Sequence, residues 1–356
     1  MDDLNIQGYF SNEDQNSQGE SFKKPSVLQV GLIYSLAVAL LIFGGSRIRD
    51  WDFNLGGLFT EFALVLLPPL LFLIVFRFDV KKVIRFNKTS FINIFLIFWI
   101  IVFSLPVVGV FNMLNHLLVK LLFGRVETLQ LPIETGFPGI LISVLVIGVS
   151  AGICEEVLFR GVIQRGFERF GAIKSILITA LLFGLMHLDF QRLLGTFLLG
   201  ALIGFLVYRS NSIISGMFAH FTNNSLAVGL SYYALKMNEY MKKNGIEGID
   251  TSNTDIFSQF EKMPTTQLVG AIIVWAFIFI SSAAFLIFLM YAFIKTTSKN
   301  TKVIPENNER VSLAAFLGLV PGLLLVAFIY VSKGLLLGEA VNPETIKNIF
   351  RAIGLG

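Results

Sequence analysis

Nine apolar runs, near residues 27–45, 58–76, 91–111, 138–159, 173–189, 193–208, 212–234, 266–294 and 311–332, constrain this chain more than any other feature. Each approaches the length needed to cross a hydrocarbon layer of about 30 Å. Inside such a layer every backbone N–H and C=O has to be satisfied within the spanning element, which leaves helices or closed barrels. Runs this long and unbroken read as helices. The fifth and sixth are short and joined by a tight connection around Asp189–Arg192, so they form either two tilted, partly re-entrant segments or one hairpin. The predicted fold is therefore all-α, a polytopic transmembrane bundle of about eight or nine helices. Composition agrees: 54% of the 356 residues are hydrophobic and 15% charged, too little charge to cover a water-soluble surface.

Charge placement sets an orientation. Arg77, Lys81, Lys82, Arg85 and Lys88 follow the second run, Arg165, Arg169 and Lys174 the fourth, and Lys295, Lys299, Lys302 and Arg310 the eighth. All three basic loops share one side if the amino terminus is cytoplasmic, as the positive-inside rule asks. The net charge of +4 thus reads as membrane topology and not as a nucleic-acid surface. Loops 112–136 and 235–264 fall on the opposite side. The expected location is the cell membrane, multi-pass, with the bilayer itself as a partner. Residues 1–26 are polar and acidic, without a signal-peptide layout, and are expected to be a disordered cytoplasmic tail. Residues 27–335 form the membrane domain and 336–356 a short C-terminal tail. Cys154 is the one cysteine, so no intrachain disulfide forms, and it reads as a small buried thiol.

Within the fourth run lies AGICEEVLFRG. A carboxylate at mid-bilayer costs roughly 2.5–3.5 kcal/mol on insertion scales, so two together call for a partner, a proton or water. Glu156 and Arg160 stand four apart and can pair along the helix. Glu155, offset by about 100°, is left available as a general base. The same charges also suit side chains snorkelling to interfacial water. Phe183 and His187 stand four apart in the fifth run, and His220 and Asn224 in the seventh. Either pair taken alone equally suits hydrogen bonding between helices. His116, in the amphipathic NMLNHLLVKLL stretch, is placed at the surface or interface. Taken jointly, a base, a histidine and a histidine–asparagine pair on three apolar segments are what peptide hydrolysis needs. Glu155 and His187 can hold and activate water, and His220 and Asn224 can supply donors to an oxyanion.

In order, these motifs read EExxxR, FxxxH and HxxxN, and the segment of about 138–235 resembles the CAAX protease and bacteriocin-processing family of glutamate-type intramembrane proteases. The resemblance implies an endopeptidase acting on a membrane protein or peptide. It makes Glu155 the base, His187 a water-binding residue, and His220 with Asn224 the oxyanion site. It also implies that Glu156 and Arg160 hold the site together while Phe183 packs behind His187. No cofactor is expected. The alternative is a zinc held by His187, His220 and Glu155, although no HExxH element is present. Two other classes stay open: a non-catalytic immunity or scaffold protein of the same family, and a proton-coupled transporter. The fourth run, ending near residue 159, puts Glu155 near the cytoplasmic end of its helix, whereas His187 falls past mid-membrane. A water-filled cavity entering from the cytoplasm is expected to bring them together.

Overall fold

The chain assembles from helices whose ends are written in local side chains. In the computed structural model, which describes residues 22–48, 51–126, 133, 136–245, 257, 260, 263–299 and 312–352, every regular element is helical. Helix α1 (Val27–Arg47) starts at Ser26, whose Oγ accepts from Gln29 N while the Gln29 side chain accepts from Ser26 N, a reciprocal cap. Helix α2 (Phe53–Val75) is capped by Asp52 and α3 (Phe91–Phe123) by Ser90. Then come α4 (Phe137–Phe170), α5 (Ala172–Met186), α6 (Leu193–Ser210) and α7 (Ile213–Lys243). Helices α8 (Thr265–Thr296), α9 (Leu313–Leu337) and the short α10 (Pro343–Ala352) complete the described chain.

Each of the nine apolar runs lies on one of α1–α9, and seven of these helices are long and apolar enough to cross a membrane. The two others fail for different reasons. Helix α5 has only 15 residues, about 22 Å at 1.5 Å per residue. Helix α7 is long but carries a polar stripe that includes His220, Thr222, Asn223 and Asn224. Four boundaries differ most from expectation. Helix α3 continues to Phe123 into the expected 112–136 loop, α4 to Phe170 and α7 to Lys243, and the 336–356 stretch contains α10. The polar tail lies outside the described residues up to position 21, but residues 22–26 pack on the bundle.

That packing creates a charged node at one end. Glu168, fully buried, takes Arg165 Nη1 at 2.8 Å and Lys24 Nζ at 3.5 Å, and also pairs with Arg85. Arg165 donates further to the carbonyls of Lys82 and Val83, and Arg169 to that of Pro25. The loop after α2, the end of α4 and the amino-terminal strap therefore meet. Thr296, at the end of α8, bonds Asn93 at the start of α3, so the third basic loop leaves from the same end. Replacing Glu168 with glutamine should leave two buried guanidinium groups short of their counter-ion. The expected loss is about 3–5 kcal/mol, read as a lowered unfolding midpoint of the detergent-solubilised protein.

The node also accounts for the extra length of α4. Gln164, Arg165 and Glu168 look like loop residues, but each is buried and bonded, so the helix runs past the apolar run. At Gly171, with φ +86°, the chain reverses into α5. Only a residue without a side chain takes that conformation at little cost. Glu155 lies sixteen residues before this bend and His187 sixteen after it. The glutamate and the imidazole thus stand the same number of residues from the bend, one on each arm of the hairpin.

Candidate active site

Helix α4 meets α6 and α7 through a ladder of polar rungs. Gln164 Nε2 donates to Gly204 O at 3.3 Å, Arg160 Nη2 to Gly200 O at 2.9 Å, and His220 Nδ1 to Glu156 Oε1 at 2.9 Å. Close approach rests on glycines. A Cβ on Gly152 would stand 3.1 Å from Phe221 N, and one on Gly148 2.8 Å from Ser225 Oγ. Gly148 and Gly152 form a small-xxx-small pair, the device by which membrane helices bring backbones together. A Cβ on Gly216 of α7 would stand 2.5 Å from Val207 and 2.7 Å from Glu156 Oε2. Gly216→Ala should therefore push α7 off α4 at a cost of about 1–3 kcal/mol. The expected readouts are a lower unfolding midpoint and a loss of the His220–Glu156 bond, seen as a changed His220 ring resonance.

Two widened π-helical segments, Val144–Ser150 and Val157–Ile163, bracket the glutamates of α4. Such segments add a residue to a turn and re-aim the side chains beside them. Glu156 and Arg160, both 0% exposed, pair at 2.6 Å. Glu156 Oε1 therefore takes hydrogens from Arg160 and His220 together, and the carboxylate is fixed from two sides. Glu155 is turned elsewhere. Its Oε2 lies 3.9 Å from His220 Nε2, too far for a hydrogen bond, and has no partner.

Phe183 is the hub of the cluster. Its buried ring lies 4.7 Å from the Arg160 guanidinium, and ring-centroid distances are 5.1 Å to Phe159, 4.8 Å to His187 and 5.8 Å to His220, all edge-on. It thus touches both imidazoles. His187 Nδ1 lies 2.8 Å from Phe183 O. A carbonyl only accepts, so Nδ1 carries the hydrogen, and in the neutral imidazole Nε2 keeps its lone pair. His187 follows α5 directly because Leu188 turns left-handed at φ +53°. The next residues are tied down by α3, where Asn115 donates to Phe190 O and Gln191 O.

Exposure grades across the cluster. Glu156, Arg160 and His220 are buried, Glu155 is half-buried, and His187 is exposed. Glu155 and His187 hence stand at the open side and the ion pair behind them. Asn224, one turn beyond His220, commits one amide hydrogen to Ile147 O at 2.8 Å and accepts from Asn223. His116 is half-buried and joined to Asn112, and Cys154 is buried. Two cavities, of about 250 and 350 Å³, are lined by other residues, so neither is the expected water path to Glu155. Among the described residues no three His, Cys, Asp or Glu side chains converge to hold a metal ion.

Residues 137–226 match the family model of the Rce1-like type II CAAX prenyl endopeptidases. The Rce1-like segment holds every member of the cluster just described, so the resemblance carried by the three motifs is shown over the stretch that contains them. It supports a membrane-embedded protease at the level of the family, in a multi-pass chain. No curated protein and no solved structure matches this chain. Outside the Rce1-like segment, one residue missed by the sequence reading approaches the cluster. Glu61, on α2, is the sole carboxylate in the second apolar run, and it stands within electrostatic reach of Glu155. An ionisable residue in a spanning segment is itself a signal worth pursuing.

Proposed function

We propose that the protein is an intramembrane endopeptidase that hydrolyses a peptide bond of a membrane-associated protein or peptide. The observation that carries this reading is the His220 imidazole, bonded at Nδ1 to the fixed Glu156 and turned at Nε2 toward the unpartnered Glu155. Base and donor thus face a common space. Glu155 takes a proton from water while the free Nε2 of His187 accepts the other hydrogen, orienting the oxygen. Hydroxide adds to the scissile carbonyl. His220, in its doubly protonated form, and the second amide hydrogen of Asn224 donate to the oxyanion. Collapse expels the amine, which takes back the proton held by Glu155. The charges, the depth of the site and the shared basic end support a catalytic core of about 138–235 within 27–335, with the basic end cytoplasmic.

The test is comparative proteomics of membrane peptides in cells carrying wild-type protein or Glu155→Ala. Cleavage products present only with wild type are expected. Identical peptide sets would leave an immunity or scaffold role, and pH-dependent flux lost with Glu155 would indicate transport. A strong chelator should leave cleavage by the purified protein within about twofold, since all the catalytic hydrogens above are moved by side chains.

A further inference from the structure

Glu61 and Glu155 share an arrangement that the hydrolytic scheme does not use. The stretch of α2 containing Glu61, a π-helical segment from Thr60 to Leu66, packs on the turn of α4 that carries Glu155. Contact is close enough that a Cβ on Gly57, one turn before, would stand 2.9 Å from Val146. Glu61 Oε2 and Glu155 Oε2 are both shielded from solvent, and neither has a hydrogen-bond partner. Cys154 and Glu156 on α4, Arg160 one turn on, and His220 on α7 complete the charged and titratable surroundings. Arg160 and His220 are already engaged by Glu156, so α2 brings an acid to Glu155 and no cation of its own. Two carboxylates packed on adjoining helix turns away from water do not both ionise cheaply.

We propose that Glu61 is a positioning residue for Glu155: as the carboxylic acid it donates a hydrogen bond, directly or through one water, to the Glu155 carboxylate. This rests on the reading of Glu155 as the base. The bond fixes the rotamer of Glu155 toward His220 and favours its ionised form. It also gives a reason for an acid on a spanning helix outside the Rce1-like segment.

Infrared spectroscopy of the purified protein near neutral pH tests the pairing without any substrate. Wild type should show the C=O stretch of a buried protonated carboxyl. Glu61→Gln should lose that band, and Glu155→Gln should displace it, because the acid then donates to an amide. The band missing in wild type, surviving in Glu61→Gln, or unmoved by Glu155→Gln would overturn the proposal. A second arm follows the pH dependence of cleavage of a farnesylated CaaX peptide. Glu61→Leu should move the acid limb upward by about one pH unit, the order expected for one hydrogen bond to a charged group. Glu61→Gln, which keeps an N–H donor, should return most of that shift. A lower rate with an unmoved acid limb in both variants would mark Glu61 as packing only. If wild type cleaves no such peptide, the proteolytic reading with that substrate fails, while the infrared comparison still decides the pairing.

Discussion

Glu155→Ala is expected to abolish measurable proteolysis, lowering turnover of any cleaved membrane peptide by about 10²–10⁴-fold, the range for loss of a general base. Stability should change little. Glu155 is half-buried and makes no hydrogen bond to the Glu156–Arg160–His220 network, so that network survives when the carboxylate goes and only the Glu61 acid loses its acceptor. Glu155→Gln sharpens the comparison, because the amide keeps the shape and cannot take the proton. The measurement is turnover of a membrane peptide that the wild type cleaves, in detergent or vesicles, beside a thermal unfolding curve. Full activity in either variant would remove Glu155 from the mechanism.

Arg160→Met should have a large effect on stability. The guanidinium is 0% exposed and serves three neighbours at once: the Glu156 carboxylate, the Gly200 carbonyl and the face of Phe183. Its removal strands a buried carboxylate, at about 3–5 kcal/mol. A lysine would not restore the site, since one ammonium cannot reproduce the planar fork that spans α4 and α6. The double variant Glu156→Gln with Arg160→Met should recover part of the loss, because the amide leaves no uncompensated charge. A double variant as unstable as Arg160→Met would show that packing on Phe183, and not charge, dominates.

Much of the site was legible because its pairs are four residues apart, the spacing that stacks side chains on one helical face. Glu156 with Arg160 and Phe183 with His187 could be read that way before any coordinates. Other features depended on tertiary structure. The end of α4 looked polar because the partners of Arg165 and Glu168 come from residues 24 and 82–85, distant in the chain. Helix α7 was legible as the seventh apolar run, but its last turns, to Lys243, are polar and were not. Asn224 reads as an oxyanion donor by spacing, yet one of its hydrogens is spent on Ile147 O, beside the π-helical widening of α4. Glu61 has no motif around it, and only the packing of α2 on α4 gives it meaning. Gly148 and Gly152 carried a readable signal in their spacing, and Gly216 gains its role only from Val207 and Glu156.

The bend at Gly171 works like the fold of a carpenter's rule: two points align only while both leaves keep the same length. A single-residue insertion in either leaf would lift one partner by about 1.5 Å and swing it through about 100°, turning it away from its mate. Growth of the chain is tolerable at the bend itself or by matched additions to both leaves. Variation in length among proteins built this way should therefore collect around the glycine and spare the stretches on either side.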